Sequence, residues 1–207
     1  MTSVLSMEEA AQQMGVMLAP EQQQKLEQYL DLLMKWNKVY NLTAIRGRQK
    51  MVTHHIYDSL SVIPFLQGSR LVDLGSGAGL PGIPLALLQP ETEVVMVDSN
   101  VKKSRFIQQA ILELSLPNAS VVHSRVEQLQ PEQPFDRVVS RAFTSLSQFL
   151  SLASPLLVSG GRAIAMKGRW PEEEGGEVVE GFELDQVQPV EVPGLHAERH
   201  LVICRKL

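Results

Sequence analysis

Three glycines at alternate positions follow an apolar stretch that has the pattern of a β-strand. The segment is LVDLGSGAGLPGIPL, residues 71–85, and the alternating glycines are Gly75, Gly77 and Gly79. Glycine weakens helices and strands, but it permits sharp turns and lets main-chain atoms approach a ligand with no Cβ in between. Nucleotide-like ligands bind beyond the carboxyl ends of parallel strands. The segment therefore predicts a nucleotide-binding type of turn after a first strand.

The spacing of the glycines distinguishes two classes of cofactor. The dinucleotide pattern G-x-G-x-x-G, started at Gly75, requires a glycine where this chain has Leu80. The chain has instead an acid, Asp73, followed by G-x-G-x-G, the spacing typical of methyltransferases that use S-adenosylmethionine. This ligand has no pyrophosphate, so a helix N-terminus tuned to phosphate is not required.

Two further strand ends offer contacts for the same cofactor. Asp98 ends the apolar run EVVMVD, and a carboxylate there can accept hydrogen bonds from both ribose hydroxyls. The segment SRVEQL follows a third candidate strand, with Val126 suited to lie against adenine and Glu127 at its polar edge. Each feature alone has a plain structural explanation, as a loop glycine or a capping acid. Together they predict an S-adenosylmethionine site.

The available side chains narrow the choice of methyl acceptor. Methylation of pyrimidine C5 needs a nucleophilic cysteine, and the single cysteine, Cys204, lies in an apolar strand pattern. Methylation of an exocyclic adenine amine uses an Asn/Asp-Pro-Pro-aromatic tetrad, where this chain has SRAF at 140–143. Arg141 there can donate to guanine O6 or a phosphate, or form a structural ion pair, but it cannot act as a base. A ring nitrogen such as guanine N7 needs no base, although other acceptors remain open.

Alternation of strand and helix patterns predicts the fold. The candidate strands LVDLG, EVVMVD, ASVVHS, FDRVVS and GRAIAMKG are separated by helical or loop segments, as in βαβ units with a mainly parallel sheet. The stretches FELDQVQPVEV and RHLVICRKL predict an antiparallel pair at the sheet edge. We expect an α/β fold with a Rossmann-like class I methyltransferase sheet over 68–207. Residues 1–67 have helical spacing, with one helix beginning at Pro20 and another around 48–63, and form a helical extension.

Composition places the chain among globular proteins, with 207 residues, 44% hydrophobic and 20% charged. The amino terminus has no basic n-region or apolar core, and the apolar runs are too short to cross a bilayer. One cysteine permits no internal disulfide, so we expect cytoplasmic residence and no membrane. Histidine and cysteine spacing indicates no metal site. We also expect a monomer.

The net charge of −4 does not decide whether the partner is a nucleic acid. Seven acids lie in residues 171–190, which contain no Lys or Arg, and we expect this stretch to be solvated and to face away from RNA. Basic residues recur after the candidate strands and in the extension, and they suit either a phosphate-binding rim or ordinary surface. They are Arg46, Arg48, Lys50, Lys102, Lys103, Arg105, Lys167, Arg169, Arg199 and His200. We take Arg141, Lys167 and His200 as candidates for the substrate side.

Aromatic and histidine residues in the extension have two interpretations. Trp36 and Tyr40 could stack on a base, but their position on one stripe with Leu33 favours core packing. His55 beside Ile56 is likewise better explained as a hydrogen-bonded packing residue than as a ligand.

Seven segments together carry a resemblance to a known family. They are KWNKVYNLTAIR (35–46), HHIYDSL (54–60), DLGSGAGLPGIPLA (73–86), SRVEQL (124–129), SRAFTSL (140–146), MKG (166–168) and ERHLVI (198–203). By these the chain resembles the glucose-inhibited division protein B family, the bacterial 16S ribosomal RNA guanine-N7 methyltransferases. The combination of WNKVYNLT with GAGLPGIPLA is specific to that family, and the resemblance covers nearly the whole chain.

The resemblance implies methyl transfer from S-adenosylmethionine to N7 of guanine 527 in small-subunit rRNA, with 16S rRNA or the small ribosomal subunit as partner. By position it implies cofactor contacts from Gly75, Leu80, Val126, Glu127 and Arg141. One departure is visible, because His54 precedes His55 where family members often have Arg-His. The weaker cation puts a phosphate contact at position 54 in doubt.

Two alternatives remain at the level of sequence. A small-molecule methyltransferase of the same fold would suit the net charge of −4. A cofactor-binding RNA chaperone or division factor without catalytic activity would keep the same glycine turn. Steep loss of affinity with ionic strength indicates an RNA partner, and transfer of labelled methyl excludes the chaperone.

Overall fold

Short apolar runs form a seven-stranded sheet in the computed structural model, which describes residues 5–141, 143, 145–168 and 179–207. The strands are β1 Arg70–Leu74, β2 Glu93–Asp98, β3 Ala119–His123, β4 Phe135–Ser140, β5 Leu157–Lys167, β6 Phe182–Pro189 and β7 His200–Lys206. Their order is β3-β2-β1-β4-β5-β7-β6. Strands β1 to β5 pair in parallel, and β7 is antiparallel to both β5 and β6. The predicted α/β fold, with a mainly parallel sheet and an antiparallel edge, is confirmed.

The strand order changes direction at β1, which pairs with β2 on one side and β4 on the other. Leu71, Val72 and Asp73 each have a partner in both neighbouring strands. A crevice for ligands forms where the connections after two adjacent parallel strands leave in opposite directions. The carboxyl ends of β1 and β4 are such a place, and the glycine turn follows β1 there.

Four α-helical segments precede the sheet and three follow its strands. They are α1 Met7–Gln13, α2 Pro20–Tyr40, α3 Arg48–Met51, α4 Asp58–Leu60, α5 Gly82–Leu88, α6 Val101–Glu113 and α7 Leu146–Ala153 among the described residues. Helix α2 begins at Pro20, as predicted, and the residue that caps its carboxyl end, Asn41, is in the left-handed region with φ 51°. Lys102 and Lys103 lie in the first turn of α6, where the side chain of Asn100 accepts from both main-chain N–H groups.

The helix expected around 48–63 forms in part, with a change of hydrogen-bond pattern in its middle. Helices α3 and α4 are joined by a π-helical segment, Val52–Tyr57. Val52, Ile56 and Leu60 are buried, as their spacing predicts. The wider π turn was not predicted, because apolar periodicity does not resolve one extra residue per turn. Such segments are rare and are often found at functional sites.

The extension and one face of the sheet share a buried core. Leu26 and Leu30 of α2 belong to the same buried cluster as Met96 and Ile164 on one face of the sheet. The other face packs against α7, with Phe149 in its cluster. The boundary between residues 67 and 68 stays a prediction. In the part of the chain that the structure describes, no helix combines the length and the apolar character needed to cross a bilayer.

Part of the acidic stretch lies at the sheet edge far from the glycine turn. Residues 171–178 and Arg169 fall outside the described residues. On β6, Asp185 pairs with Arg162 at 3.0 Å and Glu183 pairs with Arg205 at 2.5 Å. These ion pairs lie away from the carboxyl end of β5, because Arg162, the register partner of Arg205, precedes the last residue of the strand, Lys167, by five positions.

A hydrogen bond fastens the extension to the glycine turn. The hydroxyl of Tyr29, a fully buried residue of α2, donates to the carbonyl of Ala78 at 2.6 Å. We expect Tyr29→Phe to lower the free energy of unfolding by about 1–2 kcal/mol, because the Ala78 carbonyl loses its donor inside the protein. Urea unfolding of the variant would measure this loss. Tyr40→Phe is the matched control, since Tyr40 is 42% exposed, and an equal loss in both variants would contradict the assigned role of this bond.

Candidate active site

The glycine turn after β1 is held against the end of β2 by main-chain hydrogen bonds. The N–H groups of Gly75 and Ser76 both donate to the carbonyl of Val97, at 2.9 and 3.1 Å. The N–H of Val97 donates back to the Ser76 hydroxyl at 3.2 Å. Gly75, Gly77 and Gly79 adopt φ values of 71°, 61° and 80°, which favour glycine. The alternate spacing of the glycines thus matches three left-handed positions in one turn.

The glycines in this turn have two roles: some allow close packing of neighbouring atoms, and one leaves open space beside the main chain. A Cβ on Gly79 would lie 2.6 Å from Ile83 Cγ1, and one on Gly82 would lie 2.9 Å from Asp73 Oδ2, so both positions need the close approach. At Gly77 a Cβ would meet only the Gly75 carbonyl, at 4.0 Å. The space beside Gly77 is therefore open, and a side chain there would fill it.

The side chain of Asp73, in β1, holds the glycine turn in place by a hydrogen bond. Its Oδ2 accepts the N–H of Gly82 at 2.9 Å, and its Oδ1 is buried without a hydrogen-bond partner among the described residues. Burial raises the pKa of the Asp73 carboxyl to about 7, against an ordinary value of 3.8. The bond from Gly82 and the charge of Arg141 oppose that rise. An unsatisfied buried acceptor beneath a glycine turn favours a cation near by.

The side chain of Asp98, the last residue of β2, also holds the glycine turn by a hydrogen bond. Its Oδ2 accepts the N–H of Gly77 at 2.8 Å, and its Oδ1 accepts the N–H of Asn100 at 2.8 Å. Each carboxylate oxygen has a second lone pair, so these bonds leave acceptor capacity toward the cavity. Asp98 therefore has a structural role that its position in the sequence did not reveal, in addition to the expected ribose contact.

Two cavities meet at Gly75. The Asp98 cavity has a volume of about 270 Å³ and is lined by Gly75, Val97, Asp98, Ser99, Ser124, Arg125, Val126, Glu127, Phe143 and Leu152. The Arg141 cavity has a volume of about 200 Å³ and is lined by Leu42, Thr43, His55, Gly75, Ser76, Gly77, Ala78, Leu80 and Arg141. Gly75 lines both, so the turn separates two compartments of one crevice.

All seven residues expected to contact the cofactor line these cavities. Asp98, Val126 and Glu127 line the first, and Gly77, Leu80 and Arg141 line the second, with Gly75 common to both. Of the substrate-side candidates, Lys167 and His200 lie elsewhere on the same edge as register partners of β5 and β7. A nitrogen of His200, Nδ1, lies 2.9 Å from the Gly168 carbonyl. They lie beside the crevice and do not line the two cavities.

Thr43 and His55 were not singled out as site residues, yet they form a wall of the Arg141 cavity. Thr43 Oγ1 lies 2.9 Å from His55 Nε2 and accepts the N–H of Ile45 at 3.1 Å. The Nδ1 of His55 lies 3.1 Å from the His54 carbonyl. Burial, with Arg141 near by, lowers the pKa of the imidazole to about 4. His55 is the hydrogen-bonded, buried residue that was expected, and it is neutral at physiological pH.

Trp36 and Tyr40, near the end of α2, are less buried than the apolar stripe suggested. Trp36 lies 5.6 Å from Phe106 and 5.2 Å from Tyr40 between ring centroids. Trp36 packs against the core, as expected, whereas Tyr40 is 42% exposed at the end of the helix. The extra exposure arises because Tyr40 is the last residue of α2.

The residues present fit S-adenosylmethionine. Its adenosine needs an apolar surface and acceptors for hydroxyl groups, which Val126, Phe143 and Asp98 provide in one cavity. Its methionine end carries an ammonium and a carboxylate, and the second cavity has open main chain at Gly77 and the guanidinium of Arg141. Both ends would meet at Gly75, where the two cavities join. The sheet order and this crevice define a class I methyltransferase that depends on S-adenosylmethionine.

Comparisons with solved structures agree with the fold. The chain superposes on TrmN from Thermus thermophilus with a TM-score of 0.60 at 22% identity, over 83% of this chain and 53% of that one. It superposes on magnesium protoporphyrin IX methyltransferase (ChlM) from Synechocystis, with bound SAM, with a TM-score of 0.62 at 16% identity. That match covers 86% of this chain and 97% of the other.

Sequence comparison identifies the family. The family model described as rRNA small subunit methyltransferase G matches residues 22–202, and the chain belongs to this family. It is 51% identical to the ribosomal RNA small subunit methyltransferase G of Chromobacterium violaceum, over 92% of this chain and 91% of that protein. It is 47% identical to the protein of that name from Aromatoleum aromaticum, over 99% of each.

Replacement of Asp98 tests its role in cofactor binding. We expect Asp98→Ala to weaken S-adenosylmethionine binding by about 1–3 kcal/mol, because the ribose loses an acceptor and Gly77 loses its anchor. Titration calorimetry measures the change. Asp136→Ala is the control, since Asp136 also accepts main-chain N–H groups, from Ser69 and Arg70, but at the start of β4. Unchanged affinity in Asp98→Ala would remove the assignment.

The raised pKa of Asp73 predicts a pH dependence of stability. Folding raises this pKa from 3.8 to about 7, so the native state binds the proton more tightly than the unfolded chain. The contribution of the Asp73 carboxyl to the free energy of unfolding therefore falls as the pH rises from about 4 to 7, and it is constant above pH 7. Asp73→Asn retains an acceptor for Gly82 and cannot titrate. Urea unfolding of both proteins from about pH 5 to 8 should show the wild type losing stability relative to Asp73→Asn, and parallel curves would contradict the assignment.

Proposed function

We propose that this chain transfers the methyl group of S-adenosylmethionine to N7 of a guanine in 16S rRNA, at the family position 527. The observation that carries this proposal is the pair of cavities joined at Gly75, with acceptors in one and a guanidinium in the other. Family membership supplies the class of substrate. The cavities supply a route by which a cofactor and an acceptor base meet.

The Asp98 cavity suits adenosine. Asp98 would accept from the ribose hydroxyls through its remaining lone pairs, while its bonds to Gly77 and Asn100 keep the carboxylate in place. Val126 and Phe143 offer apolar surface for the base, and Glu127 offers an acceptor at its edge. Phe143 is itself supported by Phe149 of α7, at 5.8 Å between ring centroids.

The Arg141 cavity suits the methionine end. Gly77 leaves main chain open to the ligand, and the guanidinium of Arg141 would attract the carboxylate. Asp73, buried next to the turn, would attract the ammonium in its ionised form. When bound, the cofactor supplies an electrophilic methyl group on a sulfonium, and the chain's residues hold and orient it.

The side chains around the crevice suit an acceptor that needs no proton removed. The imidazole of His55 is neutral, and both its ring nitrogens lie within hydrogen-bond distance of protein partners, Thr43 Oγ1 and the His54 carbonyl. Cys204 is buried in β7, and burial raises the pKa of its thiol to about 12. Guanine N7 carries a free lone pair, so alignment of the acceptor with the methyl group accounts for much of the rate enhancement. An enzyme of this kind needs positioning groups and no general base.

Charge at the carboxyl edge of the sheet suits an RNA substrate. Arg141 and Arg199 come together there from two segments of the chain, through Asp58. An rRNA substrate would place the enzyme in the cytoplasm, with 16S rRNA or the small ribosomal subunit as its partner. The chain is proposed to act as a monomer.

The proposal is tested by methyl transfer to small-subunit rRNA that lacks the modification. Labelled methyl from S-adenosylmethionine should enter one base of naked 16S rRNA or of assembled small subunits, and mapping should place it at N7 of the guanine at position 527. The same RNA with 7-deazaguanine at that position is the control, because it replaces the acceptor nitrogen with C–H and changes little else. Label in another base, or equal label in the control, would overturn the proposal.

A further inference from the structure

A buried carboxylate in the helical extension forms ion pairs with two arginines that are distant from it in the sequence. Asp58, the first residue of α4, is 2% exposed. Its Oδ2 accepts from Arg141 Nη1 at 3.1 Å, and its Oδ1 accepts from Arg199 Nε at 2.8 Å. Arg141 directly follows β4 and Arg199 directly precedes β7. One aspartate thus fixes the relative position of two guanidinium groups.

The cluster carries more positive charge than its carboxylate needs. One guanidinium satisfies the charge of Asp58, and the second leaves the trio with a net charge of +1. The side chains of Arg141 and Arg199 are 27% and 24% exposed, whereas that of Asp58 is 3% exposed. Burial of ion pairs costs desolvation, so a second partly exposed guanidinium is poorly explained by stability alone. It is well explained if an anion binds there.

The two arginines differ in what they face. Arg141 lines the Arg141 cavity, and its Nη1 also donates to the His54 carbonyl at 3.1 Å. Arg199 lies outside the lining of both cavities. Its Nε donates to Asp58 and its Nη1 donates to the Glu198 carbonyl at 2.9 Å, while Nη2 carries two donors that neither bond uses. Arg199 is therefore the arginine suited to an anion outside the cavities.

The surroundings of Arg199 favour a phosphate. A Cβ on Gly168 would lie 3.6 Å from Arg199 Nη1, so the arginine lies against the end of β5. Lys167, at the same strand end, is the register partner of His200, the residue after Arg199. The end of β5 and the start of β7 thus meet beside Arg199 at one edge of the crevice. Planar guanidinium groups with fixed orientation are well suited to phosphate oxygens.

We propose that Arg199 binds a phosphate of the RNA backbone next to the target base, and that Asp58 positions it relative to Arg141. The proposal rests on the proposed rRNA substrate. Asp58 is a positioning residue in it, because the carboxylate acts through the arginines and touches neither RNA nor cofactor. The shared carboxylate sets the distance between the RNA backbone and the cofactor cavity, and that distance decides whether the acceptor nitrogen meets the methyl group in line.

The binding half is tested with Arg199→Ala, by measuring affinity for unmodified 16S rRNA over a series of salt concentrations. The slope of log Kd against log salt concentration should decrease in magnitude by about 0.7–0.9, the value for one lost phosphate contact. The Kd for S-adenosylmethionine should stay within about twofold, equal to about 0.4 kcal/mol. Asp58 keeps Arg141 as a partner in this variant, so we expect it to fold.

Arg205→Ala is the matched control. Arg205 lies near the other end of β7 and pairs with one carboxylate, Glu183. The salt slope of this variant should equal that of the wild type. If Arg199→Ala fails to fold, the double variant Asp58→Asn/Arg199→Ala removes the carboxylate charge together with its partner. An unchanged salt slope in a folded Arg199→Ala or in the double variant overturns the phosphate contact.

The positioning half is tested with Asp58→Asn, which keeps both arginines and their charges. We expect the rate of methyl transfer at saturating RNA to fall about 10- to 100-fold, while the salt slope stays close to that of the wild type. Asp58→Glu should recover part of the rate, because it restores the shared carboxylate. A rate close to that of the wild type in Asp58→Asn, or equal losses in rate and cofactor affinity, contradicts a positioning role.

The two proposals fail in different ways. If the wild type transfers no methyl to rRNA in this assay, the proposed function fails, whatever the salt slopes are. If the wild type methylates rRNA and Arg199→Ala keeps the full salt slope, the proposed rRNA methyltransferase activity is supported and the proposed phosphate contact of Arg199 is wrong.

Discussion

Two buried carboxylates hold the glycine turn, and the rest of the site is arranged around it. Asp73 accepts the N–H of Gly82 and Asp98 accepts the N–H of Gly77, so the turn is anchored at both of its ends. In a free chain a glycine adopts many backbone conformations, and these hydrogen bonds stabilise the one found in the turn. A turn fixed in this way can present main-chain atoms to a ligand without reorganising when the ligand binds.

The helical extension completes the crevice. Tyr29 bonds the extension to Ala78 of the turn, and Thr43 and His55 line the same cavity as Gly77. The π-helical segment Val52–Tyr57 contains His55 and ends next to Asp58. The extension therefore supplies part of the cofactor crevice and the anchor for the arginines. A sheet with the same glycine turn but without these helices would lack both.

The sheet and the residues that line the two cavities could largely be predicted from the sequence because their signals are local. The alternating glycines matched three left-handed φ values, and Pro20 marked the start of α2. The strand ends at Asp98 and Val126 could be brought together by reasoning from the fold, because parallel strands have their carboxyl ends at one edge. The sequence did not reveal that Thr43 and His55 line the Arg141 cavity, because the apolar spacing around them predicted core packing. The π segment was missed because one extra residue per turn leaves the apolar pattern almost unchanged.

By itself the sequence determined the fold class, the cofactor turn and the family to which the chain belongs, because these depend on residue types at short and regular spacings. Only the tertiary structure decided that Asp58 joins Arg141 and Arg199, which lie 83 and 141 residues away from it along the chain. No short pattern encodes such a cluster. It arises where α4, the end of β4 and the start of β7 meet, and there one carboxylate removed from water accepts hydrogen bonds from both guanidinium groups.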